Sequence, residues 1–233
     1  MIIKEIQKNT FIDYPGKIAC TIFIQGCNFR CGFCHNPNLM EMDCQGLSQD
    51  KILNFLEKRK KYLEGVCFTG GEPLLTLDLD FLKKVKALDY KIKIDTNGSQ
   101  PKKLKKLIEN KLVDYIAMDI KSSKERYELI TNSKINFKKI EQSIKLISNF
   151  PNYEFRTTII PDIHDNNEFK KIKSWLQKIT KKQKLKNYSL QPFYATNKMN
   201  NKDFELISTP KDELLKELKK ELDSYFNKCE IKN

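Results

Sequence analysis

Short apolar runs alternate with amphipathic stretches along most of the chain. KIACTIFIQG (17–26) is rich in β-branched side chains and predicts a strand. SQDKILNFLEKRKKYL spaces Ile52, Leu53, Phe55, Leu56 and Leu63 roughly as a helix does, with Ser48 as its N-cap. GVCFTGG is a short buried strand that ends in a glycine turn. DLDFLKKVKALD predicts a helix, YKIKIDTNG a strand, and PKKLKKLIENK a helix with Pro101 near its start. VDYIAMDIK, YEFRTTIIP and NYSLQPF predict three more strands, separated by the helices NFKKIEQSIKLISNF and NNEFKKIKSWLQKI. A last helix over about 210–227 is expected to be capped by Thr209, with Pro210 at its first position.

About six strand–helix units in strict alternation imply a parallel sheet with helices outside it. Ile22-Phe23-Ile24 and Ile116-Ala117-Met118 are continuously apolar, which fits strands covered on both faces. An eight-stranded barrel usually needs about 250 residues. Six units in 233 residues therefore suggest an incomplete barrel or an open doubly wound sheet. No repeat, low-complexity tract or linker divides the chain. The expectation is one domain over 1–233, with its core at about 17–193.

Composition narrows the setting. No 18-residue apolar run exists, so no membrane-spanning helix is expected. MIIKEIQKNTFIDYPGK is too polar for a secretory signal, and a cytoplasmic protein is expected. The net charge is +13, from 43 Lys plus Arg against 30 Asp plus Glu. The lysine runs lack the interleaved aromatic residues of a base-stacking platform, so they read as solvated helix faces rather than a nucleic-acid site. The seven cysteines are odd in number and clustered. That opposes a disulfide framework and favours metal or redox chemistry in a reducing compartment.

Three polar motifs fall at the C-terminal ends of predicted strands: TGGEP (69–73), DTNG (95–98) and DIK (119–121). In α/β folds that edge is where sites are built. Cys27 follows the first predicted strand in FIQGCNFRCGFCHNP (23–37), with Cys31 and Cys34 close behind. A zinc site normally pairs one C-x2-C with a distant second pair, and none is present. His35 directly follows Cys34, which makes joint ligation of one ion strained. Structural thiols are a second reading, but the polar loop CNFRCGFC is no core strand. A four-iron cluster wants four thiolates. Three on one loop can hold three irons and leave the fourth open to a small-molecule ligand.

C-x3-C-x2-C with Phe33 before the last cysteine resembles the radical S-adenosylmethionine (SAM) enzymes, and GGEP resembles their methionine-binding turn. CHNP, DTNG and MDIK resemble the activating enzymes that install a glycyl radical. Together with FIDYPGK and YEFRTTIIPDIHD, the set is most similar to anaerobic ribonucleoside-triphosphate reductase activating proteins, with pyruvate formate-lyase activating enzymes as close relatives. The match runs from about residue 5 to 193.

The resemblance implies a radical SAM partial (β/α)6 TIM barrel. It implies that Cys27, Cys31 and Cys34 ligate a [4Fe-4S] cluster whose fourth iron is chelated by SAM. Phe33 and His35 would flank the adenine. Gly70, Gly71 and Glu72 would receive the methionine amino group, on a turn shaped by Pro73. Asp95, Asn97, Asp119 and Lys121 would lie around SAM, with a monovalent cation near Asp95 and Asp119, and Arg156 would contact SAM as well. The implied chemistry is reductive cleavage of SAM to methionine and a 5′-deoxyadenosyl radical, which takes a hydrogen from a glycine of a glycyl radical enzyme. Reduced flavodoxin or ferredoxin is the implied electron donor. These types make physical sense, because a zwitterion needs both signs of charge nearby.

Blander readings stand beside these. A Gly-Gly pair is often only a turn, and Arg156 could be an edge-strand ion pair. Asp13-Tyr14-Pro15-Gly16 reads as a plain turn or as a loop near the protein-substrate channel. His164 reads as locally structural, Trp175 as core, Cys20 and Cys67 as buried thiols, and Cys44 and Cys229 as free and incidental. Pyruvate formate-lyase activases carry a late histidine where this chain has Tyr194, leaving Gln191 or Tyr194 to serve there. Only 35 residues separate Cys34 from Gly70, so no auxiliary clusters are expected. A 7-carboxy-7-deazaguanine synthase is a competing reading, but that family usually has Cys-Asp where this chain has Cys34-His35. A non-enzymatic zinc or electron-transfer protein would leave GGEP, DTNG and MDIK unexplained.

Overall fold

The computed structural model describes residues 1–42 and 46–232, which fall into two units. The first holds residues 1–28, 38–96 and 100–116; the second holds 29–37, 97–99 and 117 onward.

In the first unit, β1 (Ile3–Thr10) runs antiparallel to β2 (Ala19–Ile24). From β2 the pairing is parallel, to β3 (Gly65–Gly70) and on to β4 (Lys91–Thr96). Ile22, Val66, Phe68, Ile92 and Ile94 on these strands are fully buried, as the continuous apolar runs predicted. The helices are α1 (Gln49–Arg59), α2 (Pro73–Thr76), α3 (Leu79–Ala87) and α4 (Pro101–Glu109). Ser48 caps α1, its Oγ accepting from the Lys51 N–H at 3.3 Å, and Ile52 and Leu56 form the buried face. Pro101 opens α4 at its first turn.

The second unit begins inside β5 (Tyr115–Asp119) and continues with β6 (Tyr153–Ile159), β7 (Leu185–Pro192) and β8 (Phe226–Ile231). β6, β7 and β8 pair in parallel. Its helices are α5 (Tyr127–Thr131), α6 (Phe137–Ser148), α7 (Asn166–Thr180) and α8 (Asp212–Asp223). Trp175 on α7 is buried, and its indole N–H donates to Glu141 on α6 at 3.1 Å. The result is the α/β class read from the sequence, with parallel strands and flanking helices.

Three expectations need correction. β1 adds an antiparallel strand ahead of the strict alternation. Only its end residues Ile3 and Thr10 are buried, so it carried no apolar run. The last helix stops at Asp223 instead of running to about 227, and Phe226 starts β8, where its ring lies 4.8 Å from Tyr188. Thr209 and Pro210 lie ahead of α8, whose N-cap is Lys211 with no side-chain cap bond; Asp212 and Glu213 meet the helix dipole instead.

Cys20, Cys67 and Cys229 are buried thiols. Cys44 lies outside the described residues. The Asp13–Gly16 segment is a turn, with the Lys17 N–H donating to the Tyr14 carbonyl at 3.2 Å and Tyr14 buried 6.0 Å from the Tyr115 ring. Beside it, Phe11 and Ile12 are 74% and 78% exposed.

Candidate active site

In the first unit the GGEP turn is built by close backbone approach. A Cβ on Gly70 would lie 2.3 Å from the Ile24 carbonyl oxygen, and one on Gly71 would lie 2.3 Å from that of Gly26. Only glycine fits there. The Gly71 N–H donates to Ile24 at 2.9 Å and the Glu72 N–H to Gly26 at 2.8 Å. Gly26 and Cys27 in turn donate to the carbonyls of Leu39 and Met40 at 2.8 and 2.9 Å. The turn is thus laced to the residue that precedes Cys27.

Glu72 is fully buried. Its Oε1 accepts from the Leu74 N–H at 3.1 Å, capping α2, and from the Thr96 hydroxyl at 2.8 Å. Pro73 sits at the first position of that helix. Two residues before Asp95 stands Lys93, which is 1% exposed. Its ammonium pairs with the Asp95 carboxylate and lies 3.8 Å from the Cys67 Sγ. Lys93 was not singled out from the sequence. Its i, i+2 position relative to Asp95, on one face of β4, was the available signal.

The second unit holds Cys31, Phe33, Cys34, His35, Asn97, Asp119, Lys121 and Arg156. Asp119 ends β5. Arg156 Nε and Nη2 both lie 2.9 Å from its Oδ1, and Lys121 Nζ donates to Oδ2 at 2.9 Å. Burial alone would raise the Asp119 carboxyl. Arg156 and Lys121 more than reverse this and hold it well below the usual carboxylate range. Burial likewise opposes the Lys121 charge, but Asp119 and then Cys31 raise its pKa overall. Arg156 is thus paired within a mostly buried charge cluster, not in a surface ion pair on an edge strand.

Lys121 is held in place from α7 and its approach. His164 is buried; its Nδ1 accepts from the Ile160 N–H and its Nε2 lies 3.0 Å from the Lys121 carbonyl oxygen. Glu168 accepts from the Ser122 hydroxyl at 2.7 Å and the Ser123 N–H at 2.5 Å. The structural role expected of His164 is thus observed. Asn97 is buried, and its Oδ1 accepts from the Ser99 N–H at 2.9 Å.

The cysteine loop is clamped by a segment that sequence reasoning passed over. Asn200 Nδ2 donates to the carbonyls of Arg30 and Cys31 at 3.1 and 3.2 Å, and the Asn201 N–H donates to Gly32 at 3.0 Å. A Cβ on Gly32 would lie 2.5 Å from the Phe204 ring. Phe33 is buried 6.1 Å from Phe204, with Lys121 Nζ 5.7 Å over its ring. His35 is exposed, stacks 5.8 Å from Phe193, and its Nε2 lies 2.8 Å from the Tyr194 carbonyl oxygen. Tyr194 therefore meets the loop through its backbone. Asn200, Asn201 and Phe204 lie beyond the motif match and have no spacing that advertises them.

Of the three cysteines, Cys31 is buried and Cys27 and Cys34 are half-buried. Burial pushes the Cys34 thiol up, while the Asn36 N–H and the Lys121 charge draw it down. Among the described residues no three Cys, His, Asp or Glu side chains are already gathered into a metal cage. The fit to a cluster lies in the donor set: three soft sulfur donors within eight residues, beside a lysine able to offset thiolate charge. Elsewhere a cavity of about 920 Å³ opens between α6 and α7. It is lined by Trp175 and by lysines including Lys138, Lys145, Lys170 and Lys178, none of them site candidates.

The Radical SAM superfamily profile matches residues 21–176. A Methanocaldococcus jannaschii protein, provisionally named a glycyl-radical enzyme activating enzyme, is 31% identical over 95% of this chain and 91% of its own length. Pyruvate formate-lyase-activating enzyme of Clostridium pasteurianum is 27% identical over 96% of each chain. Among solved structures, a domain of pyruvate-formate lyase-activating enzyme from Bacteroides vulgatus aligns with a TM-score of 0.57 at 20% identity, over 72% of this chain and 99% of its own. That likeness shows the fold alone. The chain belongs to the radical SAM superfamily, and within it to the glycyl-radical-enzyme activating enzymes. Among the described residues, no helix is long and apolar enough to cross a membrane.

Proposed function

We propose that this chain activates a glycyl radical enzyme, with anaerobic ribonucleoside-triphosphate reductase as the partner. The observation that carries the reading is the clamped cysteine loop, whose Phe33 ring lies under Lys121 while Lys121 and Arg156 share Asp119. Cys27, Cys31 and Cys34 would hold a [4Fe-4S] cluster. When bound, that cluster and SAM supply reductive cleavage and the 5′-deoxyadenosyl radical that takes a hydrogen from the partner's glycine.

The protein's own groups bind and orient. Lys121 and Arg156 would offset the SAM carboxylate, Glu72 and the Gly70-Gly71 backbone would receive the ammonium, and Asp95 would lie near the methionine end. Phe33 and His35 would border the adenine. Asn97 holds the turn after β4. We propose further that the chain acts as one radical SAM domain in the cytoplasm, with reduced flavodoxin or ferredoxin supplying electrons. The choice of reductase over pyruvate formate-lyase rests on FIDYPGK and YEFRTTIIP. The Clostridium relative makes a pyruvate formate-lyase partner the second reading.

The test is electron paramagnetic resonance on anaerobically reconstituted, reduced protein, with and without SAM. A [4Fe-4S]⁺ signal that changes with SAM supports the reading. Incubation with each candidate partner then decides between them by where a glycyl radical appears. A signal indifferent to SAM would overturn the proposal.

A further inference from the structure

We propose that Lys93 is a built-in cation of the site: its ammonium neutralises and aims Asp95, so that SAM binding needs no monovalent metal ion there. The inference rests on the SAM-binding reading above.

A strand places residues i and i+2 on one face. Lys93 and Asp95 therefore point the same way from β4, and their side chains meet. The geometry is graded. The Lys93 side chain is 1% exposed and that of Asp95 is 14% exposed. The ammonium thus lies at the dry end of the pair, with the Cys67 thiol 3.8 Å away, and the carboxylate at the wetter end. A lysine is almost never fully buried unless paired. Cys67, the register partner of Lys93 on β3, is fully buried on the same face, so an apolar residue at 93 would satisfy the core. The buried charge therefore calls for a reason, and the reason on the same face is Asp95.

The second unit repeats the arrangement. Asp119 carries Lys121 two residues along the chain and Arg156 from the next strand. Each aspartate thus has a cation supplied by the polypeptide. A sodium or potassium ion bound to Asp95 would stand beside an ammonium already seated on that carboxylate, a like-charge contact in a water-poor setting. A covalently tethered ammonium does the same electrostatic task at no concentration cost. Lys93 is in this sense a positioning residue, acting on SAM through Asp95.

The experiment titrates SAM into reconstituted, reduced wild type and Lys93→Met, following the resonance line shape to obtain Kd. Each titration is run with potassium, with sodium, and with tetramethylammonium, which is too bulky to enter. Wild type is expected to bind SAM with the same Kd within about twofold in all three. Lys93→Met should bind about ten- to a hundredfold more weakly in tetramethylammonium and recover part of that loss in potassium or sodium. A structural defect would not respond to the identity of the cation. A wild-type Kd that tightens about tenfold or more with potassium or sodium would overturn the inference and needs no variant to read. So would a Lys93→Met protein indistinguishable from wild type. Absence of any SAM effect on the wild-type signal under all three cations would instead remove the SAM-binding reading itself.

Discussion

Arg156 on β6 and Asp119 at the end of β5 are joined twice, through Nε and Nη2 at 2.9 Å each to the same Oδ1. The two residues are 37 apart in the chain. Truncating Arg156 to Met would leave Lys121 paired with Asp119. Because the pair is only partly exposed, the expected cost is about 2–3 kcal/mol of stability, read by urea denaturation of the apoprotein. SAM affinity should fall by about ten- to a hundredfold. An Arg156→Met protein with unchanged stability would place the arginine outside the charge cluster.

His164 predicts a pH dependence. Burial holds its pKa down, to about 4, against an ordinary value of 6.5. In the native protein it stays neutral while the unfolded chain takes up a proton, so between about pH 6.5 and 4 the unfolded state binds more protons. Stability from this group is fully present above pH 6.5 and is lost as pH falls toward 4, by on the order of 3 kcal/mol. His164→Asn should flatten that part of the stability–pH curve. Denaturant midpoints measured across the window would settle it, and equal slopes in both proteins would count against the assignment.

Gly32 and Phe204 test the clamp on the cysteine loop. Gly32→Ala places a methyl group against the Phe204 ring. The variant should lose iron faster than wild type on anaerobic gel filtration. Adding Phe204→Ala makes room and should restore retention in part, a non-additive pair. If the double variant is worse than the sum of the singles, the contact is not what holds the loop.

Phe11 and Ile12 are large apolar side chains left in water beside the Asp13–Gly16 turn. Exposed apolar groups of this kind mark protein contact surfaces. Replacing both by serine should reduce glycyl-radical formation on the partner about tenfold while SAM cleavage without partner stays unchanged. Equal loss of both activities would point to a folding defect instead.

Much of the fold was legible because its signals are local. Ser48 announced α1, Pro101 opened α4, and the apolar runs at 22–24 and 116–118 marked strands β2 and β5. β1 was not, since Lys4, Glu5, Gln7 and Lys8 give it no apolar run. β8 was hidden because YF at 225–226 reads as the end of an amphipathic helix until Tyr188 is there to receive Phe226.

The candidate site divides along the same line. The cysteine spacing, GGEP, DTNG and DIK are written in contiguous residues, because a loop that ligates a cluster and a turn that admits a backbone are short-range requirements. These contiguous motifs alone indicate the family. Other features belong to the tertiary structure alone. Asn200, Asn201 and Phe204 hold Arg30, Cys31 and Gly32 from about 170 residues away. Glu168 ties down Ser122 and Ser123 from α7, and Lys93 trades solvation for a carboxylate inside the core. A hydrogen bond between distant residues leaves no period and no spacing in the chain. It exists only once folding has removed the water that would otherwise satisfy both groups.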